Sequence, residues 1–177
     1  CYFVNIRHNG WKIVKSKVMN CVRLYYIKLQ GESDLAKIDA GLAEQWLSEL
    51  SEQKKASIER LVHYHHRITS LSGLRLLKMY ARDEGLQNFY LSDVQYPETG
   101  KPFCRNTNNS YDFNISHSGD FILLAASRTL KVGIDVERIR ELKRLGFKMV
   151  MSQSELVKIE QSPALFFDLW SKKEAVV

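Results

Sequence analysis

The sequence has few of the residues that mark disulfide-rich, zinc-ribbon or membrane proteins. Only three of its 177 residues are cysteines, and they stand far apart at positions 1, 21 and 104. This spacing favours neither a disulfide framework nor a zinc ribbon, and it fits a reducing, cytoplasmic compartment. The longest apolar run, FILLAAS at 121–127, is far too short to span a bilayer, so we expect no membrane segment.

Acidic residues are missing from the first 30 positions, which hold six basic side chains. The net charge of +6 equals this local surplus, so the charges of the remaining chain are balanced. A basic tail can bind polyanions but is more often simply solvated, and no basic patch interleaved with aromatics follows it. Nucleic-acid binding is therefore the weaker alternative. We expect residues 1–18 to be an extension outside the fold, with the first strand beginning near Met19.

The rest of the pattern mixes helices and strands without a regular βαβ alternation. Residues 21–29 are rich in β-formers, residues 34–50 and 52–83 carry apolar side chains at helical spacing, and Gly85 is a helix stop. Further along, the pattern predicts strands near 111–116, 121–127 and 132–137, and helices at 140–150, 152–160 and 164–177. This order predicts an α+β fold.

Two short motifs carry candidate chemistry. YDFNISHSGDF, residues 111–121, places Ser116 and His117 in a hairpin, where a histidine is either an accident of loop composition or a rigidly held reagent. VGIDVE places Asp135 and Glu137 two residues apart, so on a strand they share one face. Adjacent carboxylates repel each other unless a cation or proton lies between them, and Mg²⁺ suits such oxygen ligands. The alternative is an exposed polar face on an edge strand.

Three other features are open to more than one interpretation. Glu174 lies one helical turn after Trp170 in FFDLWSKKEAVV. It is a metal ligand, a general base or a surface side chain among lysines. Lys101 in the turn TGKPF is either a phosphate ligand or a solvated lysine. In HYHH, His63 and His66 share a helix face, but no third ligand follows nearby, so a solvated face is the better interpretation than a zinc site.

Four motifs in order, GKPF, FNISHS, VGIDVE and FFDLWSKKEA, resemble 4′-phosphopantetheinyl transferases of the surfactin-synthetase-activating type. The resemblance runs from about Leu50 to the last residue. It implies a monomer of two tandem, pseudo-symmetric α+β halves with coenzyme A and Mg²⁺ between them. Residues 19–131 would form the first half, and residues 132–177 the beginning of the second.

The activity that this resemblance implies is transfer of the 4′-phosphopantetheine group of coenzyme A to a serine of a carrier protein, with release of 3′,5′-ADP. The carrier is acyl or peptidyl; fatty-acid, polyketide, peptide-synthetase and siderophore systems all remain open. Asp135, Glu137 and Glu174 would hold Mg²⁺, and Glu174 would also take the proton of the incoming serine. The side chains expected at the adenine and phosphates of the coenzyme are Lys54, Ser70, Gly100, Lys101, Pro102, Ser116 and His117.

The sequence departs from the family pattern at three places. Thr69 stands where an arginine is usual, with Arg67 nearby, and Met151 stands where an aromatic residue is usual. A lysine four residues after Glu174 would fall just past Val177. We therefore expect the second half to be incomplete, and the chain to be inactive and poorly folded after about residue 140. An inactive coenzyme A-binding fragment remains the alternative.

Overall fold

The structure, a computed structural model, describes residues 14–19, 21–29, 40–105, 111–141 and 150–175. In this part of the chain the fold is α+β, as the sequence predicts. The strands are β1 (Val14–Met19), β2 (Val22–Lys28), β3 (Val94–Gln95), β4 (Phe103–Cys104), β5 (Asp112–Ser118) and β6 (Phe121–Ser127). The helices are α1 (Ala40–Ser48), α2 (Glu52–Glu59), α3 (Tyr64–Asp83), α4 (Gln153–Gln161) and α5 (Leu165–Glu174).

The main sheet is antiparallel, with the strand order β1-β2-β6-β5. Strand β2 confirms the strand predicted at 21–29. Strand β1 pairs with it in a register that sets Met19 opposite Val22. The prediction that residues 1–18 lie outside the fold is therefore wrong for 14–18, because their backbone extends the sheet; residues 1–13 lie outside the described part.

The helical pattern predicted at 52–83 is two helices rather than one. Helix α2 ends at Glu59, and α3 begins at Tyr64. Arg67 explains how the break is stabilised: its guanidinium donates to the carbonyl oxygens of Glu59 and Leu61, at 2.8 and 2.7 Å. These carbonyls lie where helix α2 ends and its last acceptors lack helical partners. The helix predicted at 34–50 is described only from Ala40, because 30–39 lie outside the described residues.

Gly85 ends helix α3, as the sequence predicts. Its φ of +63° is a left-handed conformation that costs glycine little. The turn brings the Leu86 N–H to the Ala81 carbonyl at 2.9 Å and the Gly85 N–H to the Arg82 carbonyl at 3.1 Å. This pair of hydrogen bonds supplies donors for carbonyls that have no partner within the helix.

The sheet separates two apolar cores, because alternate side chains of a strand point to opposite faces. Along β6, Ile122 and Leu124 are buried with the apolar side chains of α1 and α3. Leu123 is buried on the other face, where Val132 and Ile134 cover the sheet. The segment after β6 is thus packed across one face of the sheet.

Helices α4 and α5 form a third small core around Met151, Ile159 and the Phe166–Phe167 pair. Ser152 and Glu155 form a reciprocal capping box at the start of α4, and Lys173 of α5 forms an ion pair with Glu155 at 3.1 Å. Both helices confirm the predictions at 152–160 and 164–177, the latter as far as residue 175, where the described residues end. The expectation of poor folding after about residue 140 is wrong for 150–175; the helix predicted at 140–150 falls mainly on 142–149, outside the described residues.

Among the described residues, no helix combines the length and the apolar composition that a bilayer-spanning segment requires.

Candidate functional site

The hairpin of β5 and β6 presents Ser116 and His117 on opposite faces of the sheet. Its register pairs Ser118 with Phe121, so only Gly119 and Asp120 form the turn. His117 shares a face with Phe113 and Ile115, which pack on the α3 side. Ser116 and Ser118 face the other way. The two residues of the motif therefore reach two different environments.

Residues 132–138 are not the strand that the sequence predicts. They run extended and parallel to β5, but their amides are bound by side chains of β5 rather than by its backbone. The N–H groups of Val132, Ile134, Val136 and Arg138 donate to side-chain oxygens of Asp112, Asn114, Ser116 and Ser118, at 2.7, 3.2, 3.2 and 3.1 Å. The prediction of a strand at 132–137 is wrong because the segment lies over one face of β5, bound by its side chains, and does not pair with the backbone of the sheet.

The predicted shared face of Asp135 and Glu137 is nevertheless present. Both carboxylates turn toward β5, where Ser116 Oγ donates to Asp135 Oδ1 at 2.8 Å and Ser118 Oγ donates to Glu137 Oε2 at 3.2 Å. The second oxygen of Asp135, Oδ2, is buried and has no hydrogen-bond partner among the described residues. A buried carboxylate oxygen without a donor is costly, and it marks a place for a cation or a proton. We call Asp135 and Glu137 the acidic pair.

Glu174 lies at the last position of α5, and its side chain is exposed. The end of this helix touches the segment of the acidic pair, because a Cβ on Gly133 would lie 1.7 Å from the carbonyl oxygen of Ala175. Within the described residues, however, no three His, Cys, Asp or Glu side chains are grouped so that they could hold a metal ion. The structure thus brings the helix end to the right segment but does not assemble Glu174 with the acidic pair.

Lys101 is held by an ion pair with Asp112 and donates to the Val132 carbonyl at 2.7 Å. Burial tends to raise the pKa of Asp112, but hydrogen bonds from Lys101 and the Val132 amide outweigh it and lower that pKa below its ordinary value. The ammonium of Lys101 therefore ties the β3–β4 turn to β5 and to residue 132, so Lys101 is not the solvated lysine of the second sequence interpretation. Gly100 is exposed with a φ of +88°, and Pro102 is partly buried.

Basic side chains gather on the α3 face, around His117. Desolvation, followed by the neighbouring basic side chains of His66, Lys54 and His65, lowers the pKa of His117, although the residue as a whole is exposed. Desolvation also lowers the pKa of Lys54, whose Nζ lies 4.5 Å from the centre of the Tyr96 ring. We call Lys54, His65, His66 and His117 the basic cluster. Basic side chains that disfavour one another's positive charge make a favourable place for an anion.

The sequence pattern does not predict that His65 and His66 belong to the basic cluster. His65 Nε2 lies 3.2 Å from the Gly119 carbonyl, so it touches the hairpin turn, and the His65 and His66 rings are 6.0 Å apart. HYHH carried the signal, since its histidines open a helix. Which of them face the hairpin depends on the α2–α3 break, which the sequence pattern did not predict. Ser70, one turn further along α3, is partly buried.

Comparison with known proteins finds similarity over the segment that contains this hairpin. Residues 42–129 match the family model described as 4′-phosphopantetheinyl transferase, N-terminal. This segment is thus similar to the N-terminal part of the 4′-phosphopantetheinyl transferases. The matched segment contains the basic cluster, Ser70 and the whole β5–β6 hairpin; the acidic pair and α5 follow it.

Individual 4′-phosphopantetheinyl transferases match the same region. The chain is 37% identical over 83 residues to psf-1 of Bacillus pumilus, covering 44% of this chain and 35% of that protein. It is 36% identical over 94 residues to AcpT of Salmonella typhimurium, covering 49% and 48%. With HetI of a Nostoc species the identity is 34% over 89 residues, covering 45% and 38%. The matches thus span about half, or less, of the length of these relatives.

Proposed function

We propose that the chain carries the coenzyme site of a 4′-phosphopantetheinyl transferase of the surfactin-synthetase-activating type. The enzyme would transfer the 4′-phosphopantetheine group of coenzyme A to a serine of an acyl or peptidyl carrier protein and release 3′,5′-ADP. One observation carries the proposal: the consecutive residues Ser116 and His117 connect the acidic pair on one face of β5 with the basic cluster on the other. A pyrophosphate and a further phosphate need both kinds of group close together.

The basic cluster is the part that would bind the coenzyme. Its four basic side chains are drawn from α2, α3 and β5, and this arrangement on rigid elements would reduce the reorganisation needed when a phosphate binds. His117 would donate to a phosphate oxygen, with Lys54 as a second charge. Ser70 would contribute a hydroxyl from α3. Gly100, Lys101 and Pro102 would border the adenine, with Lys101 acting through its hold on Asp112.

The acidic pair fits a magnesium ion in its donor chemistry. Asp135 has a buried carboxylate oxygen without a partner, and hard carboxylate oxygens are the ligands that Mg²⁺ takes in phosphoryl-transfer sites. Asp135 and Glu137, joined by Glu174, would hold the ion. When bound, it would neutralise charge on the pyrophosphate. Glu174 would also accept the proton of the carrier serine, for which its exposed place at the end of α5 is suited.

A monomer of two tandem halves, 19–131 and 132–177 onward, would place this site between them. Cys21 and Cys104 are free thiols, which supports a reducing, cytoplasmic compartment. No nucleic acid is expected as a partner, because the charge surplus lies in the first 30 residues and not around the site.

Coenzyme A binding without transfer is the second candidate, and one observation favours it. Glu174 is exposed and not grouped with the acidic pair, whereas the basic cluster is assembled within the matched segment. Measuring binding and transfer separately distinguishes the two. Coenzyme A binding by calorimetry together with modification of an apo-carrier protein, followed by intact mass, supports the transferase. Binding without modification supports the second candidate. The absence of both binding and modification would refute both candidates.

A further inference from the structure

The hydroxyls of Ser116 and Ser118 each make two hydrogen bonds of opposite sense. Ser116 Oγ accepts from the Val136 N–H at 3.2 Å and donates to Asp135 Oδ1 at 2.8 Å. Ser118 Oγ accepts from the Arg138 N–H at 3.1 Å and donates to Glu137 Oε2 at 3.2 Å. A hydroxyl has one proton, so an amide on its lone pair leaves that proton for the carboxylate.

We propose that Ser116 and Ser118 are positioning residues for the acidic pair, fixing one oxygen of each carboxylate. This assignment differs from the phosphate contact that family resemblance implies for Ser116, and it rests on the proposed metal-binding role of the pair. Holding Asp135 by Oδ1 leaves its Oδ2, the buried oxygen without a partner among the described residues, directed at the place for the ion. Side chains that orient ligating carboxylates commonly decide metal affinity.

A purely structural role is the alternative, since the same hydroxyls also clamp residues 132–138 to β5. Asn114 separates the two roles. Its Oδ1 accepts the Ile134 N–H at 3.2 Å, so Asn114 binds the same segment in the same way, but within the described residues it makes no hydrogen bond with either carboxylate. Replacing Asn114 therefore removes a clamp alone, whereas replacing Ser116 removes a clamp together with the bond to Asp135.

The experiment titrates the whole chain with Mn²⁺, a probe for a Mg²⁺ site, and follows the free ion by electron paramagnetic resonance. We expect Ser116→Ala and Ser118→Ala to weaken Mn²⁺ binding by about 10- to 100-fold. Ser116→Thr, which keeps the hydroxyl, and Asn114→Ala should stay close to wild type. Thermal unfolding of every variant reports the clamp, which Ser116→Ala and Asn114→Ala should both weaken.

Three results would overturn the proposal. Equal Mn²⁺ losses in Ser116→Ala and Asn114→Ala would leave only a clamp. Unchanged Mn²⁺ affinity in both serine variants would leave no role toward the carboxylates. Metal-free coenzyme A binding that Ser116→Ala weakens, with Mn²⁺ affinity intact, would return Ser116 to the phosphates. Asp135→Asn identifies failure of the proposed metal site itself: wild type and Asp135→Asn would then bind Mn²⁺ equally or not at all.

Discussion

The backbone of Gly133 lies directly against the carbonyl group of Ala175, so that a Cβ at position 133 would come within 1.7 Å of that oxygen. This contact joins the end of α5, where Glu174 lies, to the segment that carries Asp135 and Glu137. Glycine is required there by the close approach of two backbones, which cannot move aside as a flexible side chain can.

Gly133→Ala should therefore lower the free energy of unfolding by about 1–3 kcal/mol or detach α5, because overpacking against backbone is poorly tolerated. Gly73→Ala is the matched control: the same methyl group would meet the Cγ2 atom of Ile115 at 2.8 Å, a side chain that can shift. Denaturant unfolding measures the stability of the two variants, and hydrogen exchange of α5 measures whether the helix stays attached. Equal, small effects would contradict the described contact.

The ion pair of Lys101 with Asp112 gives a second prediction. Lys101→Met should destabilise the protein by about 1–3 kcal/mol, because it removes the main counter-charge of a largely buried carboxylate. Lys131→Met is the control, since Lys131 also reaches Asp112, at 3.3 Å, but its side chain is 89% exposed. Denaturant midpoints should separate the variants. If coenzyme A affinity falls steeply in Lys101→Met while stability stays unchanged, Lys101 binds the coenzyme and its ion pair with Asp112 has no structural role.

The lowered pKa of His117 predicts a proton uptake on coenzyme binding. In the free protein, desolvation and the neighbouring basic side chains favour the neutral ring of His117, whereas a bound phosphate would favour the charged ring. Affinity should therefore rise as the pH falls from about 8 toward 6, around the ordinary histidine value. Calorimetry in buffers of different ionisation enthalpy measures the uptake, which His117→Gln should reduce. Proton release on binding would contradict the basic cluster as the phosphate site.

The same lowered pKa has the opposite sign for the stability of the free protein. The unfolded chain binds the His117 proton more readily than the folded one, so the contribution is complete above the ordinary histidine pKa. It is lost as the pH falls toward the lower folded value. His117→Gln should flatten this part of the dependence of the unfolding free energy on pH.

Asp135→Ala tests the acidic pair in the reaction itself. It should abolish Mg²⁺-dependent transfer to a carrier protein, because the ion loses the ligand with the unpartnered oxygen. Coenzyme A binding should weaken less, since the basic cluster lies on the other face of β5. Undiminished transfer by this variant in EDTA would remove the metal role from Asp135.

Local patterns predicted the parts of the fold that local chemistry decides. Gly85 as a helix stop, the strands of the β5–β6 hairpin and the shared face of Asp135 and Glu137 all follow from one backbone angle or one periodicity. The break between α2 and α3 was missed, because the guanidinium of Arg67 stabilises it through carbonyls six and eight residues away.

Contacts between distant segments set the rest. An alternating pattern at 132–137 is the same whether the amides meet a strand backbone or the side chains of Asp112, Asn114, Ser116 and Ser118. The pairing of Lys101 depends on Asp112 and on the Val132 carbonyl, 11 and 31 residues along the chain. The approach of His65 to the hairpin turn joins residues 54 apart. None of these partners can be identified from spacing alone.

Equilibrium binding of coenzyme A and of dephospho-coenzyme A to wild type and His117→Ala tests the central claim, a coenzyme site in the basic cluster, most directly. We predict that wild type binds coenzyme A more tightly than the dephospho form. His117→Ala should lose about 10- to 100-fold for coenzyme A, the value of a charge-assisted hydrogen bond, and less for the dephospho form. Equal losses for both ligands would move His117 to the pyrophosphate. No binding of either ligand by wild type, or undiminished binding by His117→Ala, would contradict the account.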